Sequence, residues 1–231
     1  MRIAVLSDIH GNYLALDAVL KEVRKFDVKR LFVLGDLVGY YYHPDKVIKL
    51  LNDWPLDLIQ GNHEEILKRA VKDKVFLKQI YLKYGSGINM AIKKLIDTQI
   101  KELTKLPWKK MIRIDDLSIV LSHGAPWERD YYVYPNSDQS VLKRCCVLGA
   151  EFIFLGHTHY PFVFKNDRCT VVNVGSVGQA RDQGGIASWA LLDTVKRKVE
   201  LKTTQYDTTP LVNEVKLIDP HVPYLYKVLL R

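Results

Sequence analysis

No stretch of this 231-residue chain stays apolar for the ~18–20 residues that a membrane-spanning helix needs, so no helical span is expected. The opening Arg2-Ile3-Ala4-Val5-Leu6 runs straight into Asp8. It reads as a strand of the fold and not as a secretory leader, whose apolar region would be longer and end in small residues. Cysteine is scarce, and Cys145, Cys146 and Cys169 show no paired zinc-binding spacing. Two are neighbours and the count is odd, so a reduced, cytoplasmic protein is expected, with Cys145 and Cys146 in the core of a helix. No low-complexity tract, linker or repeat marks a second domain, and residues 1–231 are read as one. Acid is the minority charge: 26 Asp and Glu against 34 Lys and Arg give +8. That balance suits an anionic substrate and suits plain solubility equally. The lysine-rich helical stretch 67–110 reads as a solvated face, and nucleic acid is not expected as a partner.

What the chain does have is pattern. Residues 2–6, 31–34 and 56–59 read as buried strands. Between them lie a helix with Leu16, Val19, Leu20, Val23 and Phe26 on one face and a second with Pro44 in its first turn. Asp8 and Asp36 are 28 positions apart, and Asp36 and Asn62 are 26 apart, close to the ~30 residues of a βαβ unit. Three parallel strands should therefore deliver these residues to one carboxyl edge, where open α/β sheets bind ligands. Residues 64–106 read as helices broken at Gly85-Ser86-Gly87. After residue 111 come hairpin signals at Asp115-Asp116, at Asn166-Asp167 and within 187–205, a helix near 138–148 and a strand at 152–155. A βαβ-type first half and an antiparallel second half predict two sheets packed face to face with helices outside.

Five short strings carry the chemistry: Ser7-Asp8-Ile9-His10, Gly35-Asp36-Leu37-Val38-Gly39, Gly61-Asn62-His63-Glu64, Ser122-His123-Gly124 and Gly156-His157-Thr158-His159. They hold five of the seven histidines, leaving out His43 and His221, and each follows an apolar run. On extended backbone, positions i and i+2 point to the same side, so Asp8 with His10, and His157 with His159, could each share one divalent ion. The two oxygens of Asp36 could bridge two ions, while Asn62 adds an amide oxygen and His123 another nitrogen. Mixed oxygen and imidazole donors suit Mn, Fe or Zn better than Ca or Mg. The absence of thiolates argues against a structural zinc site.

In order and spacing over residues 1–180, these strings resemble the calcineurin-like metallophosphoesterases. Ser7-Asp8-Ile9-His10-Gly11-Asn12 and the run from Val174 to Asp182 are similar to a smaller branch, the YfcE-like phosphodiesterases and diadenosine-tetraphosphatase-like proteins. The resemblance implies a four-layer αββα sandwich and two divalent ions, Mn foremost, with Fe, Zn, Co or Ni also accommodated. Asp8, His10, Asp36 and His159 would hold the first ion. Asp36, Asn62, His123 and His157 would hold the second. Two such ions, ~3.5–4 Å apart, could present a bridging hydroxide for direct in-line attack on phosphorus. His63 would be the general acid, with Glu64 beside it keeping the imidazole oriented and cationic.

The expected substrate is a phosphodiester or nucleotide-type phosphate. A protein phosphatase of the same chemistry, a nuclease, and a catalytically quiet scaffold like the retromer subunit of this fold are the alternatives. Exposed apolar residues around Val222-Pro223-Tyr224-Leu225-Tyr226 would favour a partner-binding scaffold or a homodimer. Tyr40-Tyr41-Tyr42 and Trp127, Tyr131, Tyr132 and Tyr134 fall in loops on the metal edge. Either they stack on a substrate's aromatic group or they pack the loops shut. Arg181, in a Gly-rich loop, could clamp a second phosphate with its planar fork or make a surface ion pair.

Overall fold

The computed structural model describes residues 1–147 and 149–231. It contains two five-stranded mixed sheets. The first sheet is built on β1 (Arg2–Leu6), β2 (Arg30–Val33) and β3 (Leu56–Leu58), all parallel. The long hairpin of β9 (Ile186–Asp193) and β10 (Lys198–Gln205) adds antiparallel to β1. The second sheet runs β4 (Lys109–Ile114), β5 (Leu117–Ser122), β6 (Phe152–Leu155), β8 (Thr170–Asn173), β7 (Phe162–Lys165), with β5, β6 and β8 parallel.

Strand alternation explains the layers. Ile3, Val5, Phe32 and Leu34 face Ile119, Leu121, Phe154 and Val172 across the gap between the sheets. Their neighbours Ala4, Leu6, Leu31 and Val33 point the other way, onto α1 (Tyr13–Arg24) and α2 (Pro44–Leu51). Both faces of these strands are covered, so they read as continuous apolar runs. On the far side, Val120, Ile153 and Val171 meet Leu142 of α7 (Gln139–Arg144). The result is the four-layer αββα sandwich. Between β3 and β4 the chain forms α3 (Asn62–Ala70), α4 (Lys74–Tyr84), α5 (Gly87–Lys94) and α6 (Asp97–Leu103). No described helix is long and apolar enough to cross a membrane.

The cysteines are not all reduced: Cys146 and Cys169 form a disulfide, and only Cys145, buried just past α7, is free. Packing of the two segments sets their Cα atoms 5.9 Å apart across a 23-residue separation, a tertiary proximity that spacing alone does not reveal. Closing that loop should stabilise the fold by about 3 kcal/mol in the chain-entropy model. The double substitution Cys146→Ser with Cys169→Ser should lower the melting temperature by roughly 6–12 °C. An unchanged melting curve would show that the bond constrains nothing.

After β10 come α8 (Thr209–Ile218), α9 (Tyr224–Lys227) and a 3-10 turn at Val228–Leu230. Their apolar residues Leu211, Val215, Leu225 and Val228 are buried against Tyr41 and Tyr42. Tyr41 donates to the Leu225 carbonyl at 3.0 Å, and Tyr42 to the Asp219 carboxylate at 2.9 Å. These two tyrosines pack the loops shut. In the segment whose exposure would favour a partner, Val222 and Leu225 are held inward while Tyr224 stays 38% exposed.

Candidate metal centre

All five strings lie just beyond strand ends, at the edge where β1, β2, β3, β5 and β6 finish. The backbone there is not extended, contrary to the expectation for Asp8-x-His10 and His157-x-His159. Asp8, His10, Asp36, His157 and His159 have φ of 53°, 52°, 54°, 68° and 63°. Left-handed backbone is uncommon outside glycine and persists only where surrounding contacts impose it. The contacts are present: the Asp8, His10 and Gly11 N–H groups donate to the carbonyls of Gly35, Asp36 and Leu37 at 3.2, 2.8 and 2.8 Å. The side chains converge because each loop curls over the sheet edge.

Asp8, His10 and His159 form one buried group and Asp36, His123 and His157 another, while His10, Asp36 and His63 form a third that overlaps both. In the first, Asp8 Oδ1 lies 3.1 Å from His159 Nε2 and 3.7 Å from His10 Nε2. In the second, Asn62 Oδ1 lies 3.0 Å from His123 Nε2. Asp36 Oδ2 stands between the groups, 3.7 Å from His10 Nε2 and 3.5 Å from His123 Nε2. Each carboxylate has one oxygen on the backbone and the other in the centre. Asp8 Oδ2 accepts from His157 N–H at 2.9 Å, and Asp36 Oδ1 from His63 N–H at 2.8 Å. Asp8 Oδ1 is buried with no hydrogen-bond partner among the described residues.

The imidazoles are set for ligation by their outer nitrogens. Nδ1 of His10, His123 and His159 meets the carbonyls of Val38, Leu34 and Gln179 at 3.1, 2.7 and 2.7 Å. A carbonyl can only accept, so Nδ1 carries the proton and the Nε2 lone pair of His10 and His159 points inward; Nε2 of His123, which faces Asn62 Oδ1, would offer its lone pair once a metal displaces its proton. His157 is turned the other way, with Nε2 3.3 Å from the Asp130 carbonyl.

Burial alone would push the carboxyl of Asp8 up, but the charges of His159 and His123 prevail and hold it below the usual range. Asp36 is held low against its burial in the same way, by His123 and His63. Burial lowers His123, yet the Asp36 and Asp8 carboxylates outweigh it and push this imidazole up to about 10. Burial, then His123, brings His157 down to about 4. The two enclosed carboxylates therefore demand positive charge. With inward lone pairs and an orphaned carboxylate oxygen beside them, the residues fit a divalent metal held by oxygen and nitrogen.

The model of the calcineurin-like phosphoesterase superfamily domain matches residues 1–197. The chain belongs to this superfamily. An uncharacterised protein of Methanocaldococcus jannaschii is 32% identical over 227 residues, spanning 89% of this chain and 88% of that protein. A hypothetical protein from Pyrococcus horikoshii OT3 shares the fold with a TM-score of 0.85 at 22% identity, over 99% of this chain and 97% of that one. A metallophosphoesterase from Sphaerobacter thermophilus does so with a TM-score of 0.79 at 22% identity, over 99% and 100%.

Around this superfamily centre the remaining candidates divide. His63, at the start of α3, packs its ring 4.7 Å from His10 and 4.8 Å from Tyr40. Its Nδ1 is buried without a partner among the described residues. Burial pulls the imidazole below its ordinary value, with Asp36 opposing. Glu64 does not orient it, as had been expected. Both Glu64 oxygens are taken by backbone N–H groups: Asp36 and Gly61 at 2.8 Å on Oε2, Leu37 at 2.8 Å and Val38 at 3.3 Å on Oε1. Glu64 is a clamp on the loop that carries Asp36. Glu64→Gln sets an amide N–H against donors and should cost about 3 kcal/mol, lowering the melting temperature by roughly 6–12 °C. A thermal melt within a degree of wild type would contradict the clamp.

Tyr40 lies at the site, with its ring 4.5 Å from His10. Tyr131 does not: it is 36% exposed and packs on Trp127 at 5.3 Å. Its neighbour Tyr132 stacks on His157 at 4.1 Å instead, a choice that adjacent loop tyrosines leave open in sequence. Arg181 is half-buried. It reaches the Thr158 carbonyl at 3.5 Å, and its Nε has no partner among the described residues, so it makes no surface ion pair there. Tyr84, 5.8 Å from the His63 ring, was missed because it comes from the lysine-rich stretch read as solvated.

Proposed function

We propose that this superfamily member is a two-metal phosphodiesterase acting on a diester or nucleotide-type phosphate. The observation that carries the reading is the position of Asp36 Oδ2 between the two groups, within 3.7 Å of a histidine nitrogen in each. Asp8, His10, His159 and Asp36 would hold one ion. Asp36, Asn62, His123 and His157 would hold the other, and the mixed donor set suits Mn, Fe or Zn. Such ions, when bound, lower the pKa of a coordinated water and neutralise phosphoryl oxygens.

The chain's own groups do the rest. His63, packed beside His10, would give a proton to the departing oxygen once the negative charge of a bound substrate offsets the burial that disfavours its cationic form. Tyr40 and Tyr84 shield it from water and fix its ring. Arg181 has guanidinium N–H groups to spare, and its fork suits an anionic oxygen of the substrate that does not react. The substrate is a small phosphate ester.

The test is hydrolysis of bis-p-nitrophenyl phosphate against p-nitrophenyl phosphate by chelator-stripped protein reloaded with Mn²⁺. Metal-dependent cleavage, faster on the diester, is expected. Preference for the monoester would remove the diesterase assignment. Silence on both with Mn, Co, Ni and Zn would remove the enzyme reading.

A further inference from the structure

A groove of about 450 Å³ opens directly off the Asn62 and His157 side of the centre. The site described above does not use it. One wall comes from α3 and α4, through Ile66, Arg69 and Phe76; the other comes from the loop after β5, through Arg129, Asp130 and Tyr132. The volume lies within the range of small-ligand sites. The lining is neither a phosphate cradle nor an oily slot. The Arg69 guanidinium lies 3.9 Å from the centroid of the Phe76 ring. Arg129 forks onto Asp130 through Nε at 2.7 Å and Nη2 at 3.1 Å, and its Nη1 is 3.8 Å from Glu65. Arg69 is 3.6 Å from Asp73.

Each cation thus already has an acid beside it, and the groove has no surplus positive charge for a second phosphate. It offers flat surfaces with hydrogen-bonding edges. A guanidinium whose plane is fixed by a carboxylate fork presents a rigid face for stacking. Ile66 and the rim of Phe76, whose face Arg69 covers, supply apolar floor. Glu65 and Asp130 can accept from ring N–H or amino groups, and Arg129 can donate to ring carbonyls. Tyr132 does not offer a free face, since its ring lies between His157 at 4.1 Å and Tyr134 at 5.7 Å; it contributes its edge. A planar heteroaromatic ring bearing both donors and acceptors, joined to a phosphate on the metals, satisfies these surfaces together. An alkyl or glyceryl substituent would leave the planes and edges unused.

The geometry points to this groove as a nucleobase subsite, with Arg129 and Arg69 as the residues that set specificity. The inference rests on the phosphodiesterase reading and names its substrate class as a nucleoside phosphodiester.

The experiment compares two esters with the same leaving group, p-nitrophenyl thymidine 5′-phosphate and methyl p-nitrophenyl phosphate, on Mn²⁺-loaded protein. Wild type should prefer the nucleosidyl ester by about tenfold or more in kcat/KM, carried by KM, the size of one base-stacking contact. That ratio should collapse several-fold in Arg129→Ala, and again in the separate variant Arg69→Ala. A wild-type ratio near one, or a ratio untouched by both variants, would overturn the subsite. Calorimetry with thymidine 5′-monophosphate against methyl phosphate reads the groove without turnover. Silence on both esters with tight, Arg129-dependent nucleotide binding would sink the hydrolase and keep the groove. Equal binding of the two phosphates would sink the groove alone.

Discussion

Asp36→Asn is expected to reduce kcat by about 10³-fold or more, roughly 4 kcal/mol in transition-state terms. The substitution is nearly isosteric. Its side-chain oxygen can still accept the His63 N–H now held at 2.8 Å, so the start of α3 should stay in place. What goes is the negative charge and the second oxygen, which lies within 3.7 Å of His10 and 3.5 Å of His123. One group alone can then no longer be joined to the other through a shared carboxylate. The result should be visible without any substrate. Anything that binds only the native state raises its melting temperature by mass action. Wild type should therefore melt higher in Mn²⁺ than in chelator, and this difference should shrink in Asp36→Asn, together with bound metal measured by elemental analysis. Circular dichroism should be unchanged. Full metal content and a rate within tenfold of wild type would remove the bridging role proposed for Asp36 and the two-metal reading with it.

The first sheet was legible because its signals are local. β1, β2 and β3 carry unbroken apolar runs, and the near-30-residue spacing of Asp8, Asp36 and Asn62 reports the βαβ connection directly. The convergence of five histidines on one edge was legible for the same reason. Other features depend on partners distant in sequence. Glu64 follows His63, but α3 turns the two side chains apart, and the N–H groups of the Asp36 loop claim the carboxylate. The outer ligand partners of His10, His123 and His159 are main-chain carbonyls, which any residue supplies, so no side chain could announce them. The left-handed backbone of Asp8 and His157 likewise has no local signature, since neither is a glycine. α8 and α9 are short and amphipathic, and their burial is decided by Tyr41 and Tyr42 far upstream. The Cys146–Cys169 bond is of this kind too, a product of how α7 meets the β7–β8 hairpin.

His63→Ala should separate the two jobs of the centre. The ring is not assigned to either ion, although its nitrogen lies close to His10 and Asp36, so metal content at the wild-type level is the expected result and a drop would make His63 a ligand. A positioned general acid is worth about 10²–10⁴ when the departing oxygen needs a proton. The loss should therefore be that large for a diester with an alkoxide leaving group. It should be small for p-nitrophenolate, which departs without protonation. Gly39 supplies an independent check. Its φ is +89°, and a Cβ there would fall 1.9 Å from His63 Nδ1, too close for the ring to remain. Gly39→Ala should consequently displace the imidazole and reproduce the leaving-group dependence of His63→Ala, with bound metal measured alongside because the strain at this positive φ falls on the loop that carries Asp36. Equal losses on both leaving groups in His63→Ala would mean that the ring acts through packing against His10 and Tyr40. Wild-type rates on both would take His63 out of the chemistry, and Tyr84, which packs beside it, would be the next proton donor to test.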